Sequence, residues 1–141
     1  MAVWMRVLLS IKPEFAEKIL TGEKKFEYRR RVHRRSDVKS VIIYATSPLM
    51  RIVGEFDIQD ILRGSLAEIW DATCHAAGIS EVYFKRYFEE RSEATAICVG
   101  AVKRYDVPFP PLAWDPHFVA PQSYRYVIGA EGSAWPPPVA A

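Results

Sequence analysis

Strand-forming patterns dominate this chain, and only three helical patterns interrupt them. Apolar alternation and β-branched residues, bounded by turn residues, predict six strands over residues 5–12, 25–31, 38–45, 51–61, 94–105 and 122–128. Apolar residues at helical spacing predict three short helices over residues 13–21, 65–77 and 80–91. Strands joined by short turns favour an α+β fold, in which a small mixed sheet of five to six strands closes into a barrel with short helices outside it and at one end.

Local signals predict where two of these helices begin and end. Pro13 suits the first turn of a helix, and Gly22 can take the left-handed conformation that often ends one. Ser65 and Glu68 have the spacing of a capping box, so the second helix is predicted to begin after Ser65 and to end at Gly78.

A length of 141 residues predicts one domain, which we place at residues 1–128. Residues 129–141 are rich in Gly, Ala and Pro, and we expect a flexible tail that Trp135 pins loosely. No apolar run reaches the ~20 residues that span a bilayer, and a signal-peptide pattern is missing, so a cytoplasmic protein without membrane contact is expected. Cys74 and Cys98 lack metal-ligand spacing, and we expect free thiols, no bound metal and no cofactor.

Positive charge is concentrated in residues 24–35. Seven basic residues and one acidic residue give this segment a net charge of +6, whereas the whole chain carries +2, so the remainder carries −4. Such a concentration on a mildly acidic protein is typical of polyanion binding. The basic residues are Lys24, Lys25, Arg29, Arg30, Arg31, Arg34 and Arg35.

The last four arginines of this segment outnumber the acidic side chains available nearby in the sequence. We interpret Arg30, Arg31, Arg34 and Arg35 as contacts to the phosphates of a nucleic acid backbone. The alternative is a solvated hairpin tip that protects an edge strand from aggregation.

A strand over residues 25–31 would place Glu27 and Arg29 on one face and Lys24 and Tyr28 on the other. Because Glu27 lies between cations, we expect it to be ionised and to hold Arg29 through a bidentate ion pair. Lys24 is a candidate phosphate contact, or a general base if burial lowers its pKa. The alternatives are an ion pair without a ligand and a solvated surface lysine.

The run Gly22-x-Lys24-x-x-Glu27-x-Arg29, between a short helix and a strand, resembles the signature of the ASCH domain family. The resemblance covers most of residues 5–127, because further segments carry it: residues 10–13, 44–48, 54–56 and 120–124. ASCH domains are similar to PUA domains, which are small RNA-binding β-barrels. The resemblance therefore implies a PUA-like barrel with a cleft that accepts RNA or a nucleotide-like ligand.

Residues in the flanking segments are predicted to line the cleft, Gln122 and Tyr124 because they follow a proline-rich loop that is expected to rim it. The predicted lining residues are Ser10, Tyr44, Thr46, Ser47, Gln122, Ser123 and Tyr124. Lys12 ends the first strand just before a helix and is a further candidate phosphate contact, or else a plain rim charge. Aromatic side chains stack on bases, and the candidates are Tyr44, Trp114, Tyr124 and, unless it is a core residue, Trp70. For Thr46 and Ser47 the alternative is turn capping.

These observations favour a monomeric protein that binds nucleic acid, with RNA as the expected partner. The resemblance also implies an alternative: hydrolysis of a modified nucleoside of the N4-acylcytidine type, or of RNA as a ribonuclease, by Lys24 and Glu27. In the amidohydrolase branch of the family, a threonine nucleophile follows the motif lysine by three positions. This chain has Glu27 there, which argues against that nucleophile. A third hypothesis is a regulatory domain whose aromatic helix over residues 81–88 contacts a protein partner or simply covers one end of the barrel.

Overall fold

The computed structural model describes residues 3–130 and 132–137. Six strands form one sheet: β1 (Val3–Ile11), β2 (Phe26–Arg29), β3 (Ser40–Ala45), β4 (Arg51–Ser65), β5 (Glu93–Phe109) and β6 (Arg125–Ala130). Three α-helices accompany it: α1 (Pro13–Leu20), α2 (Leu66–Thr73) and α3 (Glu81–Tyr87). No helix of these described ranges is long and apolar enough to cross a bilayer.

The sheet is mixed, with the strand order β2-β5-β4-β3-β1-β6. The pair β1 and β3 is parallel, and the other neighbours are antiparallel. The predicted α+β class, the mixed sheet and the number of strands are confirmed. Within the described ranges the ladder does not close between β2 and β6, so a fully hydrogen-bonded barrel does not form. One side chain of β6 instead contacts the segment that follows β2: the hydroxyl of Tyr126 accepts hydrogen bonds from the backbone N–H groups of Arg34 and Arg35.

Alternation along the central strands gives the sheet a core on each face. On β1, Val7, Leu9 and Ile11 pack beneath α1, while Leu8 points to the opposite face. Helix α1 has Pro13 in its first turn and buries Ala16 and Ile19 against the first core, and Gly22 follows it with φ +87°. Helix α1 therefore begins at the predicted residue and ends one residue before its predicted end at Thr21.

A third core lies beneath α2 and α3. Ser65 and Glu68 form the predicted capping box at the start of α2. This helix ends at Thr73, earlier than the predicted end at Gly78, because a 3₁₀ turn over Cys74–Ala76 follows it. Helix α3 is also shorter than predicted and ends at Tyr87.

The strand β5 continues four residues beyond its predicted end at Tyr105. It runs through Pro108 to Phe109, because its last residues still pair with β4, where Phe109 lies opposite Ile52. The proline-rich loop therefore begins later than the sequence indicates.

The C-terminal residues take part in the second core. The strand β6 extends to Ala130, so the predicted domain boundary after residue 128 falls inside a strand. Trp135 packs on Trp4, Phe109 and Trp114, with ring centroids 5.9, 5.6 and 5.4 Å apart. The rest of the predicted flexible tail, residues 138–141, lies outside the described residues, as do residues 1, 2 and 131.

Candidate ligand-binding site

A cleft of about 190 Å³ opens between the N-terminal end of α1, the strand β2 and the helix α3. This volume is below the roughly 300–1,000 Å³ of cavities that hold drug-sized ligands, so the cleft suits one small planar group. It brings together charged residues of the motif, the end of β1 and an aromatic wall. The lining residues are Ser10, Ile11, Lys12, Phe15, Lys24, Glu27, Tyr28, Arg29, Arg30, Ile79, Tyr83, Tyr87 and Gln122.

Lys24 forms the floor of the cleft, with 1% of its surface exposed. Its ammonium group donates a hydrogen bond to the carbonyl oxygen of Ala77 at 2.5 Å and lies 4.8 Å from the ring centre of Tyr28. The prediction that Lys24 and Glu27 lie on opposite faces is wrong. Because β2 begins only at Phe26, strand alternation does not apply to Lys24, and both charged groups line the same cleft.

Burial changes the protonation of Lys24. Desolvation lowers its pKa to about 8, and the neighbouring ammonium group of Lys18 acts in the same direction, whereas the carboxylate of Glu27 opposes both. This burial meets the condition under which Lys24 was named a candidate general base. An amine with such a pKa exists in both protonation states near neutral pH, so it can give or take a proton there.

Glu27 is the buried acid of the cleft, with 5% of its surface exposed. Burial raises the pKa of its carboxyl group, and the positive charges of Arg29 and Lys24 only partly oppose this effect. The expected full ionisation by neighbouring cations therefore neglected desolvation. The expected bidentate pair is also wrong, because the carboxylate makes one contact with the guanidinium of Arg29, at 3.7 Å.

The side chain of Arg29 on β2 forms hydrogen bonds with the end of β1 and with the segment before β6. Its guanidinium donates hydrogen bonds to the carbonyl oxygens of Ser10 at 3.0 Å and Ser123 at 2.6 Å. The hydroxyl of Ser10 in turn donates to the carbonyl oxygen of Pro121 at 2.8 Å. Arg29 was predicted to contact phosphate, but much of its donor capacity is used by the backbone. These two hydrogen bonds hold the strand β2 against the end of β1 and the segment before β6, and the phosphate contact stays a prediction.

The aromatic wall was missed by the sequence analysis. Tyr83 and Tyr87 lie one turn apart on α3, and both line the cleft. Phe15 of α1 packs edge-on against Tyr83, with ring centroids 5.3 Å apart. The four-residue spacing of the two tyrosines was the available signal, but it was read as a helix that covers the barrel or contacts a protein partner.

Lys12 is exposed at the rim of the cleft, and its contact with phosphate stays a prediction. Its ammonium group donates a hydrogen bond to the Tyr83 hydroxyl at 3.0 Å. This hydrogen bond raises the pKa of Lys12, so the side chain stays cationic at the mouth of the cleft.

The basic segment does not act as one unit. Arg30 and Arg31 line a second depression beside the cleft. Arg35 instead forms a two-contact ion pair with Asp37, at 3.0 and 2.8 Å, so the expectation that these arginines lack nearby partners is wrong for Arg35. Arg34 is exposed and lies outside both depressions, and so does Lys25.

Several predicted cleft residues lie elsewhere. Tyr44 is 4% exposed and packs on Phe118 in the second core, so it cannot stack on a ligand. Thr46 and Ser47 belong to the turn after β3 and do not line the cleft. Tyr124 packs on Tyr126 rather than facing the cleft.

The other stacking candidates are also excluded. Trp70 packs on Phe84 in the third core, as its alternative stated, and Trp114 lies beneath the guanidinium of Arg125. The segment before β6 does reach the cleft, because Gln122 lines both depressions and Ser123 lines the second.

The described part of the chain contains no group of three or more His, Cys, Asp or Glu side chains arranged to hold a metal ion.

Comparison with known proteins gives a family and a fold for this chain. The family model of the ASCH domain matches residues 9–108. The chain is 34% identical over 89 residues to an ASCH domain-containing ribonuclease of Zymomonas mobilis subsp. mobilis. That match covers 63% of this chain and 60% of the relative, so the chain spans less than two thirds of the relative's length.

Solved structures of an ASCH protein from Zymomonas mobilis have the same fold. One shares 28% sequence identity with this chain at a TM-score of 0.79, covering 86% of this chain and 87% of the other. A serine-to-alanine variant of that protein superposes with a TM-score of 0.81 at 27% identity, with the same coverage. The likeness extends over most of both chains.

Proposed function

The chain belongs to the ASCH domain family, and from this premise we propose that it binds RNA and receives one nucleotide in the cleft between α1, β2 and α3. The observation that carries this proposal is the composition of the cleft. A buried amine and a buried carboxyl group form its floor, tyrosines form its wall, and arginines extend from its mouth. The ribonuclease name of the Zymomonas relative supports RNA as the partner.

The cleft has the groups that a nucleobase needs. The rings of Tyr83 and Tyr87 offer stacking surface, and base–aromatic stacking contributes roughly 1–3 kcal/mol per base. Lys24 supplies a hydrogen-bond donor, and Glu27 supplies an acceptor when ionised. Groups that bind both edges and faces of a base are typical of single-stranded RNA recognition, because the bases of a duplex are not accessible.

A salt-dependent binding experiment tests this proposal. A fluorescent ten-nucleotide single-stranded RNA is titrated with the protein at several salt concentrations. Binding should weaken steeply with salt, since each phosphate contact contributes a slope of roughly −0.7. Tyr83→Ala and Lys24→Met should weaken binding at every salt concentration, whereas Lys103→Met, at an exposed position outside the cleft, should not. An affinity that is independent of salt and unchanged in both cleft variants would refute the proposal.

A second function, RNA cleavage, is favoured by the position of Lys24 at the floor of the cleft, where burial lowers its pKa to about 8. About a tenth of the molecules carry the neutral amine at pH 7. We propose that this amine takes the proton of a 2′-hydroxyl as the 2′-oxygen attacks the adjacent phosphorus. The bond from phosphorus to the 5′-oxygen breaks, and that oxygen takes a proton from water. The products are a 2′,3′-cyclic phosphate and a 5′-hydroxyl end.

Cleavage is tested with RNA and with the same strand carrying a single 2′-deoxynucleotide. The rate of cleavage should rise with pH up to about 8 and then level off. Lys24→Met should abolish cleavage, and the 2′-deoxy substitution should abolish it at the linkage that follows the substituted nucleotide. Cleavage that survives Lys24→Met would remove this amine from the mechanism. Parallel incubation with N4-acetylcytidine tests the amidohydrolase alternative, in which the same amine would activate water.

A further inference from the structure

A second depression of about 380 Å³ adjoins the cleft. It shares the lining residues Arg29, Arg30, Tyr87 and Gln122 with the cleft. Its remaining lining residues are Arg31, Arg91 and Ser123. Four arginines and no acidic residue therefore surround a space at the mouth of the cleft.

These arginines differ in how far they are already engaged. Arg29 donates to two backbone carbonyl groups, as described above. The guanidinium of Arg30 lies 4.6 Å from the ring centre of Tyr87, which holds it at the boundary between the two spaces. Arg31 and Arg91 are exposed, and neither forms an ion pair within the described ranges. Their donor groups are available to an anion.

Negative charge limits this basic surface on one side. A neighbouring depression contains Arg30 and Arg91 again, but its other charged residues are Glu89, Glu90 and Glu93. A polyanion that continued in that direction would meet three carboxylates. The basic surface at the cleft mouth is thus a confined site and does not extend into a long basic track in that direction.

We infer that this second depression is a phosphate seat, formed chiefly by Arg31 and Arg91, and that the ligand of the cleft is a nucleoside carrying a phosphate ester rather than a neutral nucleoside. This inference rests on the proposed function and specifies its ligand. Planar guanidinium groups bind phosphate oxygens in pairs, which fixes the orientation of the group that is bound. With the phosphate held at the mouth, the attached sugar and base enter the cleft toward Tyr83 and Lys24.

The phosphate seat depends on a proximity between two arginines that cannot be seen in the sequence. Arg91 follows α3 and is sixty residues from Arg31, and only the packing of α3 beside the end of β2 brings them to one depression. The predicted basic segment contributes only part of its charge to this seat, since Arg34 and Arg35 lie outside it.

The test compares nucleosides with their phosphates. The four ribonucleosides, their 5′- and 3′-monophosphates and a ten-nucleotide single-stranded RNA are titrated by NMR against the wild-type chain, Arg31→Gln and Arg91→Gln. The matched control is Arg86→Gln, which removes the same charge from the exposed end of α3 outside both depressions. We expect a monophosphate to bind about tenfold more tightly than its nucleoside, as a charged hydrogen bond warrants, and this preference to disappear in both seat variants but not in the control. Circular dichroism checks that each variant is folded.

The outcomes separate this inference from the proposed function. Equal binding of nucleoside and monophosphate, or a preference that survives in both seat variants, overturns the seat even when RNA binds in the cleft. A phosphate preference without RNA binding supports the seat and overturns RNA as the ligand, leaving a free nucleotide. A parallel loss of RNA affinity in both variants supports the seat with an oligonucleotide as its source. Failure of every ligand to bind overturns both proposals.

Discussion

Lys24 shows how one buried charge is balanced at the residue scale. Its ammonium group is largely shielded from water. It contacts one backbone carbonyl oxygen and two aromatic rings, and the carboxylate of Glu27 lies nearby. The lowered pKa indicates that these contacts do not replace the lost water completely. A side chain that remains partly uncompensated in the free protein is available for a ligand that supplies the missing partner.

Lys24 should make the stability of the fold depend on alkaline pH. Its pKa is about 8 in the folded chain and 10.5 without burial, so between these values the unfolded chain binds more protons and stability rises with pH. We expect the free energy of unfolding of the wild type to gain about 2 kcal/mol from this residue between pH 7 and 9.5. Urea unfolding at both pH values measures the gain.

The variant Lys24→Met should lack that gain, whereas Lys103→Met, at an exposed position, should keep it. The window ends at pH 9.5 because burial raises the pKa of Tyr28 to about 12, and its opposite contribution begins near pH 10. Equal pH profiles for the wild type and Lys24→Met would show that Lys24 is not buried as a cation.

His33 should produce a dependence on acidic pH. It is 4% exposed, its Nδ1 atom has no hydrogen-bond partner, and burial together with the charge of Arg63 lowers its pKa. As the pH falls through 6.5, the unfolded chain gains a proton before the folded one, and stability is lost. Between pH 7 and 5 the wild type should therefore lose more of its free energy of unfolding than His33→Leu does, as measured by urea unfolding. The exposed control His117→Leu should lose as much as the wild type.

At the scale of elements, the link between α2 and α3 is what places the functional side chains. Its carbonyl groups at Ala77 and Gly78 accept hydrogen bonds from Lys24 and Lys18. Residue Gly78 has φ +69°, and a Cβ atom there would lie 2.7 Å from the Cβ and Cγ atoms of Lys24. The link thus needs a glycine both for its backbone conformation and for its contact with the floor of the cleft.

Substitution of Gly78 should therefore have two consequences. Gly78→Ala should lose about 1–2 kcal/mol for the left-handed backbone and a further amount for displacing Lys24. Gly22→Ala is the matched control, because Gly22 has φ +87° with no atom within 4 Å of the added Cβ. Thermal unfolding measures both, and RNA binding should weaken only in Gly78→Ala. Equal losses of stability in the two variants would show that the contact between residue 78 and Lys24 does not contribute to the stability of the fold.

Elements were predictable where the pattern is local. The proline that opens α1, the capping box of α2 and the alternation along β1 each depend on neighbours within one turn or one pleat, and each was confirmed. The ends of α2 and β5 were not, because Cys74–Ala76 tightens into a 3₁₀ turn and Pro108 stays in a strand that pairs with β4. Pairing with a distant strand leaves no local signal.

At the scale of the whole molecule, the C-terminal segment completes the second core. Trp135 donates a hydrogen bond from its indole nitrogen to the Tyr105 hydroxyl at 2.7 Å, and that hydroxyl donates to Glu55 at 2.7 Å. Arg6 of β1 pairs with the same carboxylate at 2.9 Å. The segment after β6 is thereby connected to β1, β4 and β5.

Removal of this aromatic side chain should destabilise the entire sheet. Trp135→Ala should cost about 2 kcal/mol, less than the roughly 3–5 kcal/mol of a fully buried tryptophan, because Trp135 is only half-buried. Urea unfolding followed by circular dichroism measures the loss, with Leu112→Ala at an exposed position as the control. A loss no greater than that of the control would mean that the segment is as loosely pinned as its composition suggests.

The sequence by itself determined the strand-rich α+β class, the concentration of positive charge and the residues of the motif, because each depends on composition or on spacing within a few residues. Only the tertiary structure decided that Lys24 and Glu27 share a floor, that Tyr83 and Tyr87 form a wall, and that Arg91 joins Arg31. In the tertiary structure Tyr44 is buried in the core, and Arg29 donates hydrogen bonds to backbone carbonyl groups. Burial and pairing between distant segments set these outcomes, and both arise only when the sheet has assembled.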